Sequence, residues 1–87
     1  MEEKHRIMGV HITDRVKKSG DVQRVFTEYG ANIKTRVGLH RVDEGYCSPN
    51  GLILLELFGE DRVGNEMRDK LREIQGVEVQ EMVFHHP

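Results

Sequence analysis

The side chains best suited to chemistry in this sequence are an imidazole, two cations and a carboxylate that fall in separate segments. They are His11, Lys34, Arg36 and Glu56. Together, such groups can hold a small anion or orient a polar ligand through charge-assisted hydrogen bonds. The alternative is that His11 and Glu56 hydrogen-bond to each other in a subunit interface, because buried polar groups normally find partners.

A second set of residues is suited to metal binding. It comprises His5, His40, Cys47 and His86. Imidazole and thiolate bind zinc, nickel, iron or copper, and ligand type alone does not select one metal. No HxH or HxxxH spacing occurs within one element, and the single cysteine excludes a CxxC motif. We therefore expect no cofactor, with a transition metal ion of unknown identity as the alternative.

Catalytic interpretations have less support. His11 would serve as a general base only inside an enclosing pocket, and nothing in the sequence supplies Cys47 with an adjacent base and an oxyanion site. The stretch GEDRVG (59–64) lacks the lysine of a phosphate-binding loop, and its two carboxylates would repel phosphate. We expect a protein that is not an enzyme.

Composition limits the class of protein. The 87 residues, of which 37% are hydrophobic and 32% charged, predict a single globular domain over residues 1–87. Thirteen basic and fifteen acidic residues are interspersed along the chain, which disfavours direct nucleic-acid binding. No apolar run approaches the roughly 20 residues of a membrane span, and no export signal opens the chain. We expect a cytoplasmic protein without a membrane partner.

Hydrophobic periodicity predicts the elements that position these side chains. A period of two in residues 5–13 places Met8, Val10 and Ile12 on one face of a first strand and Ile7, Gly9 and His11 on the other. The same period in the second strand groups Ile33, Val37 and Leu39 against Lys34, Arg36 and His40. The further predicted elements are a helix closed by Gly30, a loop at 42–51, a third strand at 52–58, a helix from Asp61 to Gly76 and a fourth strand at 77–84.

The order strand, helix, strand, strand, helix, strand predicts the ferredoxin-like α+β fold. Its antiparallel sheet has the spatial order 4-1-3-2, with two helices on one face. The open face would carry an apolar patch larger than monomers usually display, and we expect a second copy to cover it in a homodimer or higher homo-oligomer. The patch comprises Ile7, Leu52, Leu54, Phe58, Met82 and Phe84.

The two site predictions depend on this topology. His11 lies near the carboxyl end of the first strand, and taking the third strand as a parallel neighbour places Glu56 beside it, with Lys34 close on the second strand. The start of the first strand and the ends of the second and fourth strands are expected at one edge of the sheet. That edge would gather His5, His40 and His86, with Cys47 on the nearby loop.

Four segments resemble a known family in order and spacing. They are GVHITDR, TEYGANIKTRVGL, GLILLELFGEDR and LREIQGVEVQEMV. They are similar to small bacterial proteins known as iron-only hydrogenase system regulators, which have ACT-like ferredoxin folds. The resemblance implies a regulatory protein that binds a small effector at a subunit interface. The regulatory domain of nickel-responsive repressors is related in fold and binds metal through histidines and a cysteine, but no individual ligand transfers.

Overall fold

The computed structural model describes residues 4–13, 15–39, 42–43, 46–47 and 51–85. Secondary structure accounts for most of them. The elements are β1 (Lys4–Ile12), α1 (Arg15–Glu28), a 3-10 turn (Gly30–Asn32), β2 (Ile33–Leu39), β3 (Val42–Asp43), β4 (Tyr46–Cys47), β5 (Gly51–Leu57), α2 (Asp61–Arg72) and β6 (Val77–His85). The short strands β3 and β4 pair with each other inside the segment predicted as a loop.

The four long strands form one antiparallel sheet in the order β2-β5-β1-β6. Since β5 and β6 are the predicted third and fourth strands, this is the expected order 4-1-3-2, and the prediction of a ferredoxin-like α+β fold is confirmed. The central strands are β1 and β5, and the edges are β2 and β6. Each end of β1 therefore lies between side chains from two neighbouring strands.

One face of the sheet packs against the helices because apolar residues alternate along the strands. In β1 the residues at even positions from Arg6 to Ile12 are buried, and those at odd positions are partly exposed. The predicted division of this strand into two faces is confirmed. The core between sheet and helices comprises Met8, Val10, Ile12, Val22, Val25, Phe26, Tyr29, Leu55, Leu57, Met67, Leu71 and Val79.

The edge strand β2 departs from simple alternation. Its pairing with β5 shifts between Ile33, which is opposite Leu57, and Thr35, which is opposite Glu56. The extra residue, Lys34, is a β-bulge, and a bulge reverses the faces of all residues that follow it. Ile33 therefore packs against the core, whereas Val37 lies beside Leu54 on the open face. The prediction that Ile33 and Val37 share a face is wrong for this reason.

Candidate ligand site at the end of the sheet

The open face of the sheet exposes large apolar side chains. Opposite residues on neighbouring strands form rows across it, among them Met82 beside Ile7 and Gln80 beside Gly9, which in turn pairs with Leu54. Phe58 and Phe84 are 55% and 56% exposed, and Met82 is 55% exposed. Polar groups interrupt this surface towards both ends of the strands. The pairing of the strands therefore determines which of the predicted ligand side chains lie close together.

The strand register separates His11 from Glu56. Because β1 and β5 are antiparallel, His11 lies opposite Leu52, while Glu56 lies opposite Ile7. Four residues of β1 separate these positions, which corresponds to about 13 Å along an extended strand. The expected grouping of His11 with Glu56 is wrong, since it took the two strands as parallel. On its other side, His11 lies opposite Glu78 of β6.

Glu56 instead binds the imidazole of His5. The His5 Nδ1 atom lies 2.7 Å from Oε2 of Glu56. An ionised carboxylate only accepts hydrogen bonds, so Nδ1 is the donor. The side chain of His5 is 45% exposed and that of Glu56 is 21% exposed, which leaves the pair open to a ligand. Sequence alternation already places His5 on the open face, and antiparallel pairing would have brought it towards the end of the third strand.

Lys34 belongs to the same cluster. The hydrogen bond from His5 lowers the pKa of Glu56 below its ordinary value of 4.5, and the electrostatic effect of Lys34 acts in the same direction, whereas desolvation opposes both. The Glu56 carboxylate is therefore ionised at neutral pH. The cluster presents an anion, a cation and an imidazole at the end of the sheet where β1 begins and β5 ends.

A cleft of about 550 Å³ adjoins this cluster. Its sheet side includes His5, Lys34 and Glu56, with Phe58 as an apolar wall. Its other side is formed by the 3-10 turn and by the start of α2. The side chain of Asn32 in the 3-10 turn donates a hydrogen bond to the carbonyl oxygen of Phe58 at 3.2 Å. Ligand sites are concave and combine apolar walls with a few convergent polar groups. This cleft has that character.

Asp61 forms the helix side of the cleft and is already bound to a cation. Lys4 Nζ lies 2.5 Å from its Oδ2 atom. The hydrogen bond from Lys4 lowers the pKa of Asp61 in spite of some desolvation, and the charges of Lys4, Arg6 and His85 add to the effect. Lys4 and Asp61 therefore largely neutralise each other, and Lys34 and Glu56 provide charges at the sheet side of the cleft.

Arg36 does not join this cluster. After the bulge it lies opposite Leu55 on the helix-covered side of the sheet. Its Nη1 atom donates to Oε1 of Gln23 at 3.1 Å, and its guanidinium lies 5.0 Å from the centre of the Phe26 ring. The expectation that Arg36 shares a face with Lys34 at one ligand site does not survive the bulge, and its contacts are with α1.

The described residues do not support the expected edge that would gather the predicted metal set. Leu39, the last described residue before His40, lies opposite Leu52 near the start of β5. Arg6, the residue after His5, lies opposite Leu57 at the end of β5. The five intervening steps along β5 amount to about 17 Å. The prediction that the start of the first strand and the end of the second share an edge is wrong, because both strands run in the same direction.

The other predicted metal ligands add no support. His40 and His86 lie outside the described residues, and Cys47 belongs to β4 in the separate two-stranded sheet. Within the described part of the chain, no group of three or more His, Cys, Asp and Glu side chains is arranged to hold a metal ion.

Comparison with known proteins agrees with the fold. No protein-family model and no curated protein matches the chain. Among solved structures, the uncharacterized protein TM1266 from Thermotoga maritima is 27% identical, with a TM-score of 0.78 over 93% of this chain and 98% of that one. This chain is a ferredoxin-like protein by fold.

Two further structures extend the comparison. CPII from Thiomonas intermedia K12, a PII-like nitrogen regulatory protein bound to ADP, AMP and bicarbonate, is 6% identical with a TM-score of 0.64, covering 100% of this chain and 97% of its own. A dimeric ferredoxin-like protein from an uncultured marine organism is 6% identical with a TM-score of 0.52, covering 99% and 96%. These identities relate the fold alone. In the described residues, no helix has the length and apolar character needed to span a membrane.

Proposed function

We propose that this protein is a small, non-catalytic regulatory module of the ACT-like type, which binds a small effector and forms a homo-oligomer through its sheet. The observation that carries the proposal is the His5, Glu56 and Lys34 cluster in a cleft at the margin of an exposed apolar face. A ligand in this cleft would contact both the domain and any copy packed on the face. Binding and assembly would then be linked.

The cluster defines the chemistry of the effector. The ionised Glu56 carboxylate accepts hydrogen bonds, so the effector carries an N–H or O–H donor. The Lys34 ammonium attracts an anionic group such as a carboxylate or phosphate. Phe58 offers apolar contact at the wall of the cleft. We therefore expect a small polar molecule that has both a donor and an anionic group.

The regulatory assignment has two further supports. CPII is a PII-like nitrogen regulatory protein of the same fold, and two of its structures contain ADP and AMP, one with bicarbonate and the other with acetate. The sequence resemblance to iron-only hydrogenase system regulators favours a role in regulating that system. Apolar residues exposed on the sheet favour self-association, since large exposed patches commonly mark protein interfaces.

Calorimetric titration with a panel of nucleotides, small carboxylates including bicarbonate and acetate, and amino acids tests the effector site. Lys34→Met and Glu56→Gln should weaken binding by about tenfold or more, equivalent to about 1.4 kcal/mol. Arg36→Met is the matched control, because it removes a cation from the same strand on the other face. Saturable binding that falls with Arg36→Met but not with Lys34→Met would contradict the assignment.

Light scattering at micromolar concentration tests assembly. We expect at least a dimer. A monomer that also fails to bind dyes for exposed apolar surface would contradict the proposed covering of the open face.

A further inference from the structure

The centre of the open face contains a hole rather than a side chain. Gly9 lies in the middle part of β1 between Leu54 of β5 and Gln80 of β6. Because Gly9 has no side chain, its neighbours surround a depression of about 410 Å³. Ile7, Leu52, Leu54 and Met82 form apolar walls, Gln80 lies beside Gly9, and His11 and Glu78 lie towards one end.

The backbone does not require glycine at this position. No left-handed backbone angle occurs at Gly9, and a Cβ there would meet its nearest neighbours, the Gln80 oxygen and the Leu54 Cδ2 atom, at 3.7 Å. Both are ordinary van der Waals distances. Glycine also weakens a strand because it has no side chain to pack. Gly9 therefore brings no packing benefit within the single chain. A glycine inside a strand often marks a bulge, a bend or the close approach of another group, and the pairing of β1 is regular on both sides of Gly9.

The size of the face places this hole at the centre of any self-contact. Four strands and seven to nine residues per strand give an outline of roughly 20 by 25 Å. A standard interface uses about 800 Å² of accessible surface from each partner, so a stable contact through this face has to use nearly all of it. A two-fold axis relating two whole faces then passes near their centres. An unfilled cavity there would forfeit packing contacts.

Met82 is the side chain best placed to fill the hole of a second copy. It borders the depression and is 55% exposed, compared with 37% for Leu52, the other wall residue with a large exposed fraction. Methionine is unbranched and adapts to irregular gaps. Met82 lies opposite Ile7, one strand and two residues from Gly9, which is about 8 Å. A two-fold axis between these positions lets each copy insert Met82 into the other.

We propose that the hole above Gly9 is the receptor for Met82 of a second copy of this chain, in a reciprocal contact through the open face. This inference rests on the proposed self-association and specifies its contact. The effector cleft lies at the end of the same face, beyond Ile7, so the contact leaves it at the interface margin.

Sedimentation equilibrium of four purified full-length variants tests the contact. Gly9→Leu fills the hole and Met82→Ala removes the inserted side chain, and each should weaken self-association by about tenfold or more. The double variant should be no weaker than Gly9→Leu alone, because both changes remove the same contact. Gly38→Leu is the control, since a Cβ on Gly38 would have no neighbour within 4 Å and this residue lies opposite Ile53, away from the open face.

The outcomes separate this contact from the proposed function. If the wild type associates and both Gly9→Leu and Met82→Ala associate equally well, the hole is not at the contact, while assembly through another surface stands. Additive losses in the double variant would also overturn the reciprocal pairing. A monomeric wild type would overturn both proposals. Circular dichroism verifies folding, and Gly9→Ala, which fits without a clash, replaces Gly9→Leu if the larger side chain prevents folding.

Discussion

Gly64 of α2 lies directly over the guanidinium of Arg6 in β1, so that a Cβ on residue 64 would be 2.5 Å from Nη1 of Arg6. Arg6 is only 8% exposed. Its Nε and Nη2 atoms lie 2.5 Å and 3.1 Å from the two carboxylate oxygens of Glu81, and Nη2 also donates to Asn65 at 2.8 Å. The absent side chain of Gly64 thus makes room for a buried ion pair that joins β1, β6 and α2.

Gly64→Ala is expected to destabilise the protein, although alanine normally stabilises a helix over glycine by about 0.5–1 kcal/mol. The new methyl group would displace a guanidinium that Glu81 and Asn65 hold in place. Gly20→Ala in α1 is the control, because no atom lies within 4 Å of its added Cβ. Urea unfolding of both variants measures the difference. A gain in stability from Gly64→Ala equal to that from Gly20→Ala would show that Arg6 moves freely.

Replacing one member of a buried ion pair commonly costs about 3–5 kcal/mol when the other charge is left without compensation. Here Arg68 lies 3.6 Å from Glu81 and Asp61 lies 3.7 Å from Arg6, so the remaining charge keeps a second partner. Arg6→Met and Glu81→Met should therefore each lower the free energy of unfolding, by less than that amount. The double variant should lose less than the sum of the two, since it leaves neither charge buried alone. Chemical denaturation of the four proteins completes the cycle. Additive losses would mean that the two side chains act independently.

Glu56→Gln is expected to reduce the loss of stability in acid. Folding lowers the pKa of Glu56 through His5 and Lys34, so the unfolded chain takes up this proton first as pH falls. The stabilisation is fully present above the ordinary pKa of 4.5 and disappears as pH drops through the lowered value of the folded state. Chemical unfolding at neutral pH and in acid should show that the free energies of unfolding of the wild type and the variant become more similar in acid. If the difference between these free energies is the same at both pH values, the His5 and Glu56 contact does not stabilise the fold.

Arg36→Ala is expected to cost about 0.5–1 kcal/mol and to leave effector binding and assembly unchanged. The loss reflects an exposed cation–π contact with Phe26. The hydrogen bond to Gln23 is also removed. Thermal unfolding, titration and light scattering on one preparation measure all three properties. Lower effector affinity in this variant would place the ligand on the helix-covered face.

Local patterns predict the elements well, and the errors come from long-range pairing. Alternation in β1 assigns Met8 and Ile7 to opposite faces correctly because a regular strand has a period of two. The same rule fails in β2, since the bulge at Lys34 is visible only in its pairing with β5. The His5 and Glu56 contact likewise depends on the direction and register of two strands that are far apart in the chain.

Because Lys34 is one residue more than the pairing of β2 requires, the strand contributes Ile33 to the interior and turns Val37 outward. If the same sequence paired without this bulge, unbroken pleating would turn every residue after Lys34 by half a turn. Arg36 would then point away from α1, and Val37 would leave the surface offered to a neighbouring molecule. How this border strand absorbs one surplus amino acid therefore decides which of its side chains meet the hydrophobic interior and which meet the assembly surface.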